Sequence, residues 1–170
     1  MSFGDFKLCS LTQRYSLNIK ESPSQILCKP PKWCKIERAI TAAENHFDDV
    51  SDTAWYKNAA NWAQENGIVA GVGGGLFAPN ATATREQIAL IMMKFSAFRG
   101  EDVSPRDELA GYNDVGSISP WAIDAVKWAV ANGLISGKGN GMLDPKGTAT
   151  RAETAQILFR YLTKKYKEIK

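Results

Sequence analysis

Two stretches of this chain carry the same order of residues, and a duplication of that length demands a fold built from repeated units. Phe47-Asp48-Asp49-Val50 returns as Tyr112-Asn113-Asp114-Val115. Trp55-x3-Ala59-x2-Trp62-Ala63-x2-Asn66-Gly67 returns as Trp121-x3-Ala125-x2-Trp128-Ala129-x2-Asn132-Gly133. Gly71-x-Gly73-x-Gly75 matches Gly137-x-Gly139-x-Gly141, and Pro79 matches Pro145. Thr82-Ala83-Thr84-Arg85 comes back letter for letter as Thr148-Ala149-Thr150-Arg151, and Ala89 and Ile91 answer Ala155 and Ile157. The alanines between the tryptophans suggest close helix approach, with the indoles wrapping a neighbour.

Each unit reads as helix, glycine-rich loop, helix. Trp55, Ala59, Trp62 and Ala63 fall on one stripe of a 3.6-residue period, and Trp121, Ala125, Trp128 and Ala129 repeat it. Ser119-Pro120 has the form of an N-cap with proline at the first helical position. Asn66-Gly67 and Asn132-Gly133 supply residues that accept the positive φ ending a helix. The second helices are expected to start at Thr84 and Thr150. Thr84-x-x-Gln87 and Thr150-x-x-Glu153 both fit the reciprocal cap in which each side chain bonds the other residue's backbone N–H. Apolar pairs such as Ile68-Val69 and Leu134-Ile135 are too short to make strands. The expected class is mainly α, a set of tandem helix-loop-helix units.

The units occupy 47–100 and 112–165, joined by a connector at 101–111 that contains Pro105 and has room for a helical turn. Residues 1–46 do not match the repeat and form an N-terminal arm, with a short helix expected over Ile36 to Asn45 and loop over Cys28 to Trp33. Residues 166–170 are a basic tail. Cys9, Cys28 and Cys34 are an odd number with no CxxC spacing, and His46 is the lone histidine, so neither a metal nor another cofactor is expected. A net charge of +3 is too small to argue for nucleic acid. No run approaches the roughly 18 apolar residues of a membrane span. Met1 to Lys20 lacks the basic-then-apolar order of a secretory signal.

From Phe47 to Lys164 these motifs resemble the S-layer homology family. The features carrying the resemblance are the opening Phe/Tyr-x-Asp-Val, the Trp-Ala-x-x-Asn-Gly helix end, the glycine-rich loop running into proline, and the Thr-Arg-Ala-Glu motif. The resemblance implies a pseudo-threefold helical bundle of three repeats. Its grooves hold secondary cell-wall polysaccharide, often pyruvylated, and fix proteins to the outside of the cell at the wall and surface layer. Arginine in Thr-Arg-Ala-Glu is a principal ligand in that family. This role falls on Arg151, where the motif is complete, and on Arg85, where it reads Thr84-Arg85-Glu86-Gln87 and the added carboxylate is expected to weaken an anion site. Two units stand where three are usual. Either the arm fills the gap, or chains self-associate to complete the assembly, or this is part of a longer surface protein.

Elementary electrostatics points the same way. A cation in the first turn of a helix meets the positive end of its dipole, normally unfavourable by about 0.3–1 kcal/mol. Both units nevertheless place arginine directly after the cap. There the free N–H groups and a planar guanidinium can converge on one carboxylate. The competing use of Arg85 and Arg151 is pairing with Asp49, Asp114, Glu86 or Glu153 to tie units together. Trp55 and Trp121, at the helix starts, are candidates for contact with sugar rings, whereas Trp62 and Trp128 read as core. Gly73 and Gly139 either let backbone approach a glycan or turn the chain. Asp49 and Asp114 are candidate ligands or ties. Thr84, Gln87, Thr150 and Glu153 are explained by capping.

Catalysis is not expected. Gly71-x-Gly73 does not continue as a dinucleotide fingerprint, no phosphate-loop motif appears, and no two acids are singled out for glycoside hydrolysis. No Ca²⁺-loop ladder of acids is present. The remaining rival to glycan anchoring is a protein-interaction or oligomerisation module using the same grooves.

Overall fold

The computed structural model describes residues 46–168, with side chains up to Lys164. The readings of the arm, of the helix over Ile36 to Asn45, of the three cysteines and of the tail's side chains lie outside the described residues. The described residues form four α-helices in order: α1 Lys57–Glu65, α2 Arg85–Phe98, α3 Ile123–Ala131 and α4 Arg151–Glu168. Two 3-10 turns, Val115–Ser117 and Pro120–Ala122, lead into α3. The described residues contain no strand, only isolated bridges at Gly73–Leu76 and Thr84–Thr148.

The caps follow the local signals. Thr84 and Gln87 form the reciprocal cap of α2, and Thr150 and Glu153 form that of α4, with Thr150 N donating to Glu153 Oε2 over 2.7 Å. α1 and α3 end at Asn66 and Asn132, and Gly67 and Gly133 behind them take φ of 68° and 66°. Ser119 departs from its expected role. Pro120 does begin a 3-10 turn, but the Ser119 side chain caps nothing and bonds instead to the first unit, as described below.

The main core does not belong to one unit. Ala89 and Met92 of α2 are buried with Ala125, Val126, Trp128 and Ala129 of α3 and with Ile157 and Tyr161 of α4. α2 therefore leaves its own unit to pack on the first helix of the next. The alanines let the two backbones approach closely. The first unit keeps only a small cluster, Phe47, Val50 and Ala60, flanked by Phe77 and Val69. The connector contains no helical turn. It runs without regular structure to Leu109, which is buried in the main core at a positive φ of 57° and held by its N–H donating to Asp107 Oδ1.

The glycine-rich loops are closed by backbone bonds, Val72 N to Leu76 O in the first unit and Lys138 N to Met142 O in the second. Gly71 sits inside the first closure at φ 71°, where a Cβ would lie 2.2 Å from Leu76 O and 3.0 Å from the Phe47 ring. Gly71→Ala should therefore cost about 2–3 kcal/mol, combining left-handed strain with the clash. Chemical denaturation checks this: the midpoint should fall with an unchanged slope.

Candidate functional site

The repeated Thr-Ala-Thr-Arg segments meet each other. Thr84 bridges Thr148, Ala149 N donates to Ala83 O, and Arg85 N donates to Gly147 O over 3.0 Å. Glu86 N donates to Pro145 O over 2.9 Å. The first free amides of α2 are thus satisfied by carbonyls of the second unit, which is one of the few ways to bury a helix N-terminus.

The Arg85 side chain completes this joint. Arg85 is only 5% exposed. Its Nε donates to Leu143 O at 2.9 Å, its Nη2 to Ser136 O at 2.7 Å, and its Nη1 to Glu153 Oε1 at 3.1 Å. Every guanidinium nitrogen has a protein acceptor, so Arg85 ties the units together. The expectation of an open anion ligand is corrected at this position, because carbonyls and a carboxylate from the second unit already fill the place a glycan acid would take. Glu86, expected to weaken an anion site, is buried instead, and its carboxylate accepts from Ser119 N at 2.9 Å and Ser119 Oγ at 2.8 Å. The acid that departs from the repeat pattern is a second tie across the same joint.

Arg151, the repeat counterpart of Arg85, is exposed, and no described residue pairs with its side chain. Its helix starts in the same way, yet the backbone amides of Arg151 and Ala152 have no acceptor among the described residues. Two identical motifs therefore have opposite surroundings. One is enclosed by the following unit, and the other faces outward with a guanidinium and open helix amides together.

The other predicted residues divide likewise. Trp55 is 92% exposed, standing edge-on to Tyr56 with ring centroids 5.4 Å apart, and Trp121 is 53% exposed. Both present indole faces to solvent. Trp128 is core at 3% exposure, while Trp62 is half-buried against Phe98. Gly73 and Gly139 have φ of 102° and 103° with open space around the missing Cβ, so their conformation explains them. Asp49 accepts from Phe77 N at 2.8 Å and Ala78 N at 2.7 Å. Asp114 does the same for Leu143 N and Asp144 N at 2.9 and 2.7 Å. Both aspartates tie the opening turn of a unit to the end of its own loop, and that replaces the ligand reading.

These bonds set the charges. The Phe77 amide holds the Asp49 carboxyl below its ordinary range; burial opposes it, and the Ala78 amide adds to the lowering. For Asp114 burial pushes upward, but the Leu143 and Asp144 amides outweigh it and the net direction is down. Glu153 is lowered chiefly by the Thr150 amide and hydroxyl, with Lys138 and Arg85 adding. A carboxyl whose folded pKa is depressed contributes stability that is present above its unfolded value and lost as pH falls through the folded one. The ordinary values are 3.8 for the aspartates and 4.5 for Glu153. Thermal midpoints should therefore hold steady above that range and fall progressively below it, which a pH series of melting curves checks.

A cleft of about 430 Å³ lies between the connector, the end of α3 and α4, lined by Glu101, Asp102, Ser104, Arg106, Asn132 and Lys164. Sequence reasoning did not single it out. Its charges answer one another: Arg106 pairs with Asp102, Glu101 with Arg99, and Lys164 Nζ donates to Asn132 Oδ1 at 2.6 Å. Among the described residues no group of His, Cys, Asp and Glu is placed to hold a metal, and no helix is long and apolar enough to cross a membrane.

The architecture is that of a helical repeat module with its joint built from the Thr-Arg motifs. The S-layer homology domain family matches residues 46–89 and 111–155, and the chain belongs to that family. It is 36% identical over 118 residues to the surface-layer 125 kDa protein of Lysinibacillus sphaericus, covering 68% of this chain and 10% of the relative. It is 35% identical over 127 residues to exoglucanase XynX of Acetivibrio thermocellus, covering 72% and 11%. Against the cellulosome-anchoring protein of Acetivibrio thermocellus, identity is 27% over 116 residues, covering 68% and 26%. The chain thus spans a small part of each relative. The same stretch recurs in proteins named as enzymes and as surface-layer proteins, so it is not the catalytic part of the former. The family and its relatives place the chain at the cell wall and surface layer, outside the cell.

Proposed function

We propose that this chain anchors non-covalently to the cell wall by holding an acidic, pyruvylated secondary wall polysaccharide at the second unit. The observation that supports this is the outward-facing Arg151. A guanidinium beside open helix amides offers a carboxylate two forked N–H donors together with the positive end of α4. A pyruvate ketal carries one such carboxylate on a sugar ring. Trp121 and Trp55 add exposed indoles of the kind that stack on sugars. Arg85 supports the site indirectly, by fixing the unit from which α4 projects.

Co-sedimentation with purified sacculi tests the reading. The chain should pellet with intact sacculi and stay in the supernatant once wall polysaccharide has been extracted. Pelleting with bare peptidoglycan would overturn it. Sacculi from cells unable to attach pyruvate to the polymer should also fail to retain the chain.

A further inference from the structure

We infer that the joint between the two units is copied between chains, the α4 end of one molecule docking head to tail on the first unit of a second copy. The repeat makes this readable, because each half of the internal joint has a counterpart with none of the described residues against it. On the donating side, Arg85, Ala89, Met92 and Ser96 are buried by the second unit, whereas their counterparts Arg151, Ala155, Leu158 and Leu162 are exposed. Phe159 is exposed beside them. On the receiving side, Leu143 O and Ser136 O accept from Arg85, and Ala125 lies under α2. Their counterparts in the first unit are Phe77, Ala70 and Ala59. No described residue donates to the carbonyls of Phe77 and Ala70, and Ala59 is exposed.

Among the described residues, one molecule thus carries an uncovered plug and an uncovered socket of the same joint. The occupant that fits both is another copy of this chain. Such a contact is heterologous, so it extends into an open row or closes into a ring. It is weaker than the internal joint for a stated reason. Gln87 stands where Glu153 supplies the ion pair, and Ala152 stands where Glu86 supplies the carboxylate for Ser119. Association is therefore reversible and dependent on concentration. This goes beyond the anchoring reading and competes with it for Arg151, so glycan and second copy exclude each other there.

The test measures the mass of the full chain in solution by light scattering, without wall polymer and with variants that spare Arg151. The wild type should rise above its 18.7 kDa monomer mass with concentration. Leu158→Glu on the plug and Ala59→Glu on the socket should each remain monomeric with an unchanged melting midpoint. Phe159→Glu serves as the plug variant if Leu158→Glu melts early. Mixed in equal amounts, a plug variant and the socket variant should form a dimer and nothing larger, since together they hold one intact joint. A wild type that stays monomeric into the millimolar range, variants that still associate, or a mixture that does not dimerise would overturn the inference. Failure to bind sacculi would leave these masses unchanged, so the two readings fall separately.

Discussion

Arg85→Met is expected to lower stability by about 3 kcal/mol, because it removes one half of a joint and leaves the other half buried. The guanidinium donates to two carbonyls, Leu143 O and Ser136 O, that lie beside the main core. Its third partner, Glu153, keeps a side chain 28% exposed, which places the loss below that of a fully buried ion pair. Methionine preserves the aliphatic packing, so the change reports the lost bonds. The midpoint should fall by about 10 °C. Arg151→Met, at the same point of the repeat, should stay within about 0.5 kcal/mol of wild type, since nothing in the described chain rests on it. Calorimetry of the pair measures how far two identical motifs have diverged in role.

The second large effect belongs to the tryptophan pair. Trp128→Ala should cost about 4 kcal/mol, by removing the largest side chain from a core shared by α2, α3 and α4. Trp62→Ala, at the counterpart position, should cost about 1–2 kcal/mol, because the indole is half-buried and edge-on to Phe98 at 5.5 Å. The buried Trp128 Nε1 has no hydrogen-bond partner among the described residues. Trp128→Phe therefore removes volume without orphaning an acceptor, and it should lose clearly less than the alanine variant. Equal costs at 62 and 128 would show that the units share the core evenly, contrary to the structure.

What could be read from sequence was what is decided within a few residues. The caps at Thr84 and Thr150 and the helix ends at Asn66 and Asn132 depend on spacings of three or four, and the structure reproduces them. Of the partners of Arg85, Glu153 was among the acids the sequence offered for a tie, but the carbonyls of Ser136 and Leu143 were not legible, because they lie 51 and 58 positions away in the chain. Any arginine after a cap reads as an anion site until the docking of the next unit is known. The sequence offered Asp49 and Asp114 as ties but not their partners, which are amides about thirty positions on. Ser119 carried a misleading local signal. Its hydroxyl oxygen was placed to accept a helix N–H, but the hydroxyl instead donates to the Glu86 carboxylate of the other unit and caps nothing. The acid at 86 and the serine at 119 were both visible, and their pairing was the missing information.

The account rests on one asymmetry, an enclosed Arg85 and an outward Arg151 in matching motifs. Equilibrium binding of Arg151→Ala to purified sacculi tests it most directly, with the melting curve recorded on the same samples. Losing a forked, charge-assisted contact of about 1.5–3 kcal/mol should weaken binding roughly 10- to 100-fold while leaving the midpoint where it was. Wild-type affinity in that variant would contradict the assignment of the wall polymer to the free arginine.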